Sequence, residues 1–289
     1  MSETATVTLD VRYRDTTPLD AGNGLEIYYE TDGQSGPNVV LLNNFYLIAP
    51  VWRTWMPTLS SDHRVTSYDL RNQGATSAGY SHVEWRDHVD DLLALLDGLG
   101  IEQTYLVGTS ASTLLARDFA LAHPDRVRGI VLQGPAFNPV TGRRRRAITR
   151  SWMRTLEHGG IAALWDHLYS QVFGDQAMED GGSALYLGMR ELFTSVHSAT
   201  PLMINLASSL AAPDDPALLS ALSCPTLLVI GENDFVWTRT AAEATADLVP
   251  DSELLFLPAV GHLPFMEATE AVETAIRAFT ARVEAADAR

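Results

Sequence analysis

The sequence predicts an α/β fold: a mostly parallel, eight-stranded sheet flanked by helices, with a helical cap inserted before its last strands. Three observations carry this reading. Short apolar runs of strand length recur along the chain; from about residue 38 onward most are separated by amphipathic helical stretches; and the segment 137–221 shows helical periods but no strand. Strand–helix–strand alternation gives a parallel sheet with helices on both faces.

In chain order, Thr6 to Tyr13 and Leu25 to Glu30 alternate apolar and polar residues, as antiparallel edge strands do. Asn38 to Leu42, Val65 to Tyr68, Thr104 to Val107 and Gly129 to Leu132 are shorter and more continuously apolar. Thr226 to Ile230 and Glu253 to Leu257 follow the same pattern, which suits strands buried on both faces. His82 to Gly98 places Val89, Leu92, Leu93 and Leu96 at helical spacing, and Ser112 to His123 does so with Leu114, Leu115, Phe119 and Leu121. Thr238 to Leu248 and Thr269 to Val283 are the remaining core helices. Helical stretches at Ile148 to Leu156, Ile161 to Val172 and Leu185 to Val196 form the cap, so residues 1–136 and 222–289 make the core domain and 137–221 the lid.

Composition narrows the chemistry. The chain has 289 residues, and all 20 of its basic residues are arginines. Without lysine there is no Walker-type phosphate loop, no kinase strand lysine and no Schiff base. Thirty-six acidic residues bring the net charge to −16, which disfavours nucleic acid or an anionic membrane as partner. Cys224 is the single cysteine, so neither an internal disulfide nor a thiolate zinc cluster is expected. No metal site or cofactor is expected from the motifs. The polar, acidic first ten residues lack a signal-peptide core and no apolar run reaches membrane-span length, so a cytoplasmic protein is expected.

The chemistry-bearing constellation begins where Tyr105-Leu106-Val107 runs into Gly108-Thr109-Ser110-Ala111-Ser112 and straight into a helix. A strand, a sharp turn and a helix around a serine form a nucleophile elbow, which needs small neighbours because strand and helix pass closely. Ser112 stands where the G-x-S-x-G pattern has its second glycine. A serine hydroxyl needs a histidine to take its proton and a carboxylate to orient that histidine. Asp234, in Gly231-Glu232-Asn233-Asp234, follows one strand, and His262, after Gly261, follows the next. The order Ser110, Asp234, His262, each at the C-terminal end of a strand, is the arrangement of an α/β-hydrolase triad.

On these residues the chain resembles the α/β-hydrolase-fold superfamily over about residues 20 to 280. Tyr68-Asp69-Leu70-Arg71-Asn72-Gln73-Gly74 and Ala122-His123-Pro124-Asp125-Arg126-Val127 resemble further family segments. The resemblance implies an oxyanion hole made by the backbone N–H groups of Phe45 and Ala111. It also implies acyl chemistry through Ser110, on an ester or thioester of a small, secondary-metabolite-like substrate. The related dehalogenases and epoxide hydrolases use Asp at the elbow, so Ser110 points away from them. Where the family has His-Gly, this chain reads Asn43-Asn44-Phe45. That loop resembles stand-alone members from polyketide or peptide natural-product pathways, where lyases that eliminate acetate from an acetylated tetronate provide an alternative reading. A non-catalytic small-molecule receptor is a third.

Asn43, Asn44, Trp52, Trp237 and His197 are the candidate substrate contacts. The remaining histidines, His63, His82, His88, His123, His158 and His167, show no metal-ligand spacing. Arg143, Arg144, Arg145 and Arg146, with Arg150 and Arg154, concentrate six arginines in twelve residues beside the cap. They form either a solvated loop leading into the first cap helix or a patch that steers an anionic substrate or docks an acidic carrier protein.

Overall fold

The computed structural model describes residues 10–22, 24–76, 79, 81–137 and 142–287. Two short strands, β1 (Leu19–Asp20) and β2 (Glu26–Ile27), pair as a separate antiparallel ribbon. The main sheet contains β3 (Tyr29–Asp32), β4 (Asn38–Leu42), β5 (Arg64–Tyr68), β6 (Thr104–Thr109), β7 (Val127–Gln133), β8 (Thr226–Gly231) and β9 (Ser252–Leu257). Their spatial order is β3-β5-β4-β6-β7-β8-β9, with β3 antiparallel to β5 and every other pair parallel.

Among the described residues the sheet therefore has seven strands rather than the expected eight. Residues 6–9 of the first expected strand lie outside the described residues, and Asp10 to Tyr13 carry no strand. The second expected strand, Leu25 to Glu30, divides between β2 and β3, because the chain leaves the ribbon at Tyr28 to join the sheet.

Alternate side chains of the central strands feed two apolar layers. Val40, Leu42, Leu106, Ile130, Leu132 and Leu228 face one side, while Val39, Leu41, Tyr105, Val107, Val131 and Val229 face the other. Both layers are sealed, which is why these strands read as continuous apolar runs. Helices α1 (Trp52–Trp55), α2 (Trp85–Gly98) and α3 (Ser112–Ala122) connect the first strands.

Among the described residues four helices lie between β7 and β8: α4 (Arg143–Val172), α5 (Asp175–Val196), α6 (Ala199–Ala211) and α7 (Ala217–Ser220). Gly160, at φ +74°, bends α4 between its two expected halves. Helix α6 is absent from the sequence reading because its buried face includes Asn205, Ser208 and Ser209 beside Leu202 and Leu206. Helices α8 (Arg239–Ala246), α9 (Pro264–Glu267) and α10 (Thr269–Asp287) complete the chain.

The chain passes from β4 outward to β5, then returns to place β6 on the other side of β4. The loops leaving β4 and β6 consequently diverge around a crevice at the strands' C-terminal ends. Parallel sheets bind ligands at such a switch point.

Candidate active site

Ser110 follows β6 with φ +51°, a left-handed conformation that costs a non-glycine residue energy and is held by its surroundings. Its N–H donates to Gln133 O at 2.9 Å. Strand and helix approach so closely that a Cβ on Gly108 would lie 2.8 Å from Ser112 O. The serine at 112 is accommodated because its Oγ is used: it donates within reach of Leu42 O (2.8 Å) and Thr109 O (2.9 Å), and accepts from Thr109 N (2.9 Å).

The three residues expected to form a triad are together. Ser110 Oγ lies 2.9 Å from His262 Nε2, and His262 Nδ1 lies 2.9 Å from Asp234 Oδ2. With Nδ1–H donating to the carboxylate, Nε2 is left to accept the serine proton. Asp234 Oδ1 accepts from Val236 N and Trp237 N, both at 2.8 Å, so both oxygens of the buried carboxylate are occupied. Gly134, at φ +48°, leaves room for the imidazole: a Cβ there would sit 2.9 Å from His262 Nδ1.

The loop carrying His262 is held by a residue the sequence reading passed over. Glu267 Oε2 accepts from Gly261 N (3.0 Å) and Gly174 N (2.9 Å), and Oε1 accepts from Leu263 N (3.3 Å). Burial raises the pKa of this carboxyl, and the three amides pull it back.

Beside Ser110, the β4 loop brings Asn44, Phe45 and Tyr46 to the lining of a cavity that Ser110 also borders. Among the described residues, neither Phe45 N nor Ala111 N has a hydrogen-bond acceptor. Asn44 Oδ1 accepts from Tyr46 N at 2.8 Å, an Asx turn that folds the loop around the Phe45 amide. Asn43 turns the other way. It is fully buried, its Nδ2 donating to Asp69 Oδ1 (3.1 Å) and Gln73 Oε1 (3.2 Å), while its Oδ1 accepts from Trp52 Nε1 (2.6 Å). Gln73 Nε2 donates in turn to Asn44 O at 2.8 Å. Asp69 is buried, and desolvation pushes its pKa up to about 7.

Two cavities meet at Ser110. One is walled by Phe45, Ala111, Phe137, Trp152 and Trp237 and extends to Arg144 and Arg145. The other is walled mainly by Trp55, Trp152, Trp165, Phe193 and His197, with His262 in its lining. Asn44, Tyr46, Ser110 and Trp152 border both.

Of the expected substrate contacts, Asn44, Trp237 and His197 line these cavities and Asn43 and Trp52 do not. Asn43 is consumed by the bonds beneath the loop. Trp52 spends its indole N–H on Asn43 and packs its ring on Phe265, 5.0 Å between centroids, so Trp55 supplies the wall instead. His197 lies with Nε2 3.1 Å from Tyr46 O, which makes that nitrogen the donor, and burial lowers its pKa to about 4.

The arginine run is divided. Arg145 is buried against Asp214, with Nη2 to Oδ2 at 2.8 Å and Nε to Oδ1 at 3.0 Å. Arg146 reaches the same Asp214 at 2.9 Å. Arg144 donates to Phe235 O and Val236 O and stacks on Phe235. Arg143, Arg150 and Arg154 are exposed. Among the described residues no group of His, Cys, Asp or Glu is placed to hold a metal ion, and no helix is long and apolar enough to cross a membrane.

Comparison with known proteins gives relatives of the same architecture. Epoxide hydrolase 2 of Siraitia grosvenorii is 33% identical over 69% of this chain and 61% of its own length; for epoxide hydrolase 1 of the same organism the match spans 42% of the relative. A pimeloyl-[acyl-carrier protein] methyl ester esterase of Chromobacterium violaceum is 28% identical over 84% of this chain and 93% of its own. Among solved structures, a thermophilic esterase from Thermogutta terrifontis superposes with a TM-score of 0.79 at 27% identity, covering 92% of this chain and 97% of that one. The family model described as alpha/beta hydrolase fold matches residues 37–269, and with the sheet, the elbow and the Ser110–His262–Asp234 relay it places this chain in the alpha/beta hydrolase-fold family.

Proposed function

We propose that the protein is a serine-dependent acyl hydrolase acting on an ester or thioester of a small, secondary-metabolite-like molecule. The observation that carries this reading is the unbroken relay, 2.9 Å from Ser110 Oγ to His262 and 2.9 Å from His262 to Asp234, together with two backbone amides that have no acceptor among the described residues. A serine nucleophile supports acyl transfer over epoxide opening, whatever the names of some relatives.

In this reaction Ser110 Oγ attacks the carbonyl carbon while its proton passes to His262 Nε2, and Asp234 holds the imidazole and offsets its positive charge. The carbonyl oxygen becomes an oxyanion facing Phe45 N and Ala111 N; a donor of this kind is worth roughly 100-fold or more in rate. Asn44, bordering both cavities, is the side chain beside that oxygen. His262 then gives its proton to the leaving oxygen or sulfur, and the C–O or C–S bond breaks to leave an acyl-Ser110. Water, deprotonated by His262, hydrolyses the acyl-enzyme and returns Ser110 to its starting state. Trp237 and His197 contact the two ends of the substrate. Docking of an acidic carrier protein is proposed through the exposed Arg143, Arg150 and Arg154 rather than the inward-turned Arg144 and Arg145.

The test is turnover of short-chain acyl esters in ¹⁸O-water with mass spectrometry of products and protein. Hydrolysis places ¹⁸O in the acid and gives a transient acyl mass on Ser110, both lost in Ser110→Ala. Elimination would release unlabelled carboxylate with an alkene and no acyl-enzyme, and binding without turnover would favour a receptor.

A further inference from the structure

His262 lines only the aromatic cavity, and its Nε2 must protonate the leaving group. In the acyl-hydrolase reading proposed above, on which this inference rests, the leaving group therefore occupies the aromatic cavity. The acyl chain is directed into the other one. That second cavity is bounded along one side by a single face of α4: Trp152 at the junction, Ile148 and Thr149 one turn back, Arg144 and Arg145 a further turn back. Eight residues of helix separate Trp152 from Arg144, about 12 Å along the axis.

The far end of this cavity is electropositive. Arg145 and Arg146 share one carboxylate, Asp214. Arg144 has no carboxylate partner among the described residues; two carbonyl oxygens, Phe235 O and Val236 O, fix its guanidinium without neutralising it. Four arginines also open α4, where the helix dipole favours acidic residues. A cation beside largely apolar walls attracts an anion more strongly than it would in open water.

We infer that this cavity selects acyl chains ending in a carboxylate, which Arg144 receives, so that the substrates are half-esters or half-thioesters of medium-length dicarboxylic acids. The reacting carbonyl sits at Ser110 and the free carboxylate two helical turns away. Nε and one Nη2 hydrogen are spent on the two carbonyls, which leaves the Nη1–Nη2 edge of the guanidinium to receive a carboxylate.

The test compares 1-naphthyl hexanoate and octanoate with the mono-1-naphthyl esters of adipic and suberic acids. The free carboxylate is expected to raise kcat/KM about tenfold or more, an advantage that shrinks with added NaCl. Because Arg144 also braces the loop carrying Asp234, Arg144→Gln lowers rates on all four esters, so the ratio is the readout: it falls to about one in Arg144→Gln and is only partly recovered in Arg144→Lys, which keeps the charge but not the fork. Equal or better turnover of the neutral esters, or a preference that survives Arg144→Gln, overturns the inference. Should Arg144→Gln fail to fold, inhibition of the native enzyme by suberate against octanoate gives the same decision, tighter suberate binding supporting the inference and parity overturning it. Calorimetric binding of the esters to Ser110→Ala separates the two claims: selective binding without any turnover by the native protein overturns the hydrolase reading alone, and unselective binding overturns the carboxylate assignment alone.

Discussion

The carboxylate of Glu267 anchors the backbone on both sides of His262. It accepts from Gly261 N and Leu263 N, while His262 N donates to Val172 O at 2.8 Å, so all three consecutive amides are tied. The Glu267 oxygen that holds Gly261 also holds Gly174, at the bend between α4 and α5. These glycines pack closely enough that a Cβ on Gly261 would lie 2.4 Å from Gly174 N. The bend between α4 and α5 and the His262 loop are thereby one hydrogen-bonded unit.

Glu267→Ala removes three hydrogen bonds from this unit and lets His262 drift relative to Ser110. The expected result is a fall in kcat on the order of 10- to 100-fold with little change in KM, since the group acts on alignment rather than on substrate contact. Steady-state kinetics on a short-chain ester checks it, with circular dichroism to confirm folding. A kcat equal to that of the unmutated protein would show that the loop holds itself.

The adjacent asparagines of the β4 loop should separate cleanly. Asn43→Ala strands Trp52 Nε1 and removes a donor from buried Asp69, so the expected effect is on stability, about 2–3 kcal/mol in urea unfolding. Asn44→Ala loses the Asx bond to Tyr46 N beside the Phe45 amide, so the expected effect is on kcat, roughly tenfold or more, at modest cost in stability. Reversed effects would mean that the two side chains have been given each other's roles.

Ser112 gives a related test at the elbow. Its hydroxyl links the end of β4 to the end of β6 through Leu42 O and Thr109 O, and it is buried. Ser112→Ala should lower stability by about 1–2 kcal/mol while leaving the triad chemistry in place. Gly108→Ala, whose new Cβ would meet backbone at 2.8 Å, should impair folding itself. Thermal denaturation of the two variants distinguishes them.

The central strands and the triad were legible because their physics is local. A strand buried on both faces must be apolar throughout, and an elbow must be small on both sides of its nucleophile. What was illegible depends on direction or distance. Asn43 and Asn44 are neighbours in one turn, and nothing in their order says which points down to Asp69 and which borders the cavity. Trp52 and Trp55 share one helical turn, and only the indole bond to Asn43 decides that Trp55 reaches the site. Arg145 looks like part of a solvated run until Asp214, 69 residues later, is folded against it. Helix α6 hides because a buried Asn and two buried Ser interrupt its apolar face. Glu267 left a faint signal, a carboxylate one helical turn after the histidine, with no pattern to connect it to Gly174.

A pH effect on stability follows from His88, which packs in α2 with 1% of its surface exposed. Its Nε2 lies 3.2 Å from Ser208 Oγ, its Nδ1 has no partner among the described residues, and burial lowers its pKa from 6.5 to about 3. The folded protein thus keeps this imidazole neutral where the unfolded chain would protonate it. Since the unfolded state binds the extra proton, this contribution to stability is fully present above pH 6.5 and is lost as pH falls toward 3, with a slope of up to about 1.4 kcal/mol per pH unit. His88→Gln removes that titration, so its unfolding free energy should fall less steeply than that of the unmutated protein between pH 6 and 4. Parallel slopes, measured by urea denaturation at several pH values, would show that His88 is protonated in the fold as readily as outside it.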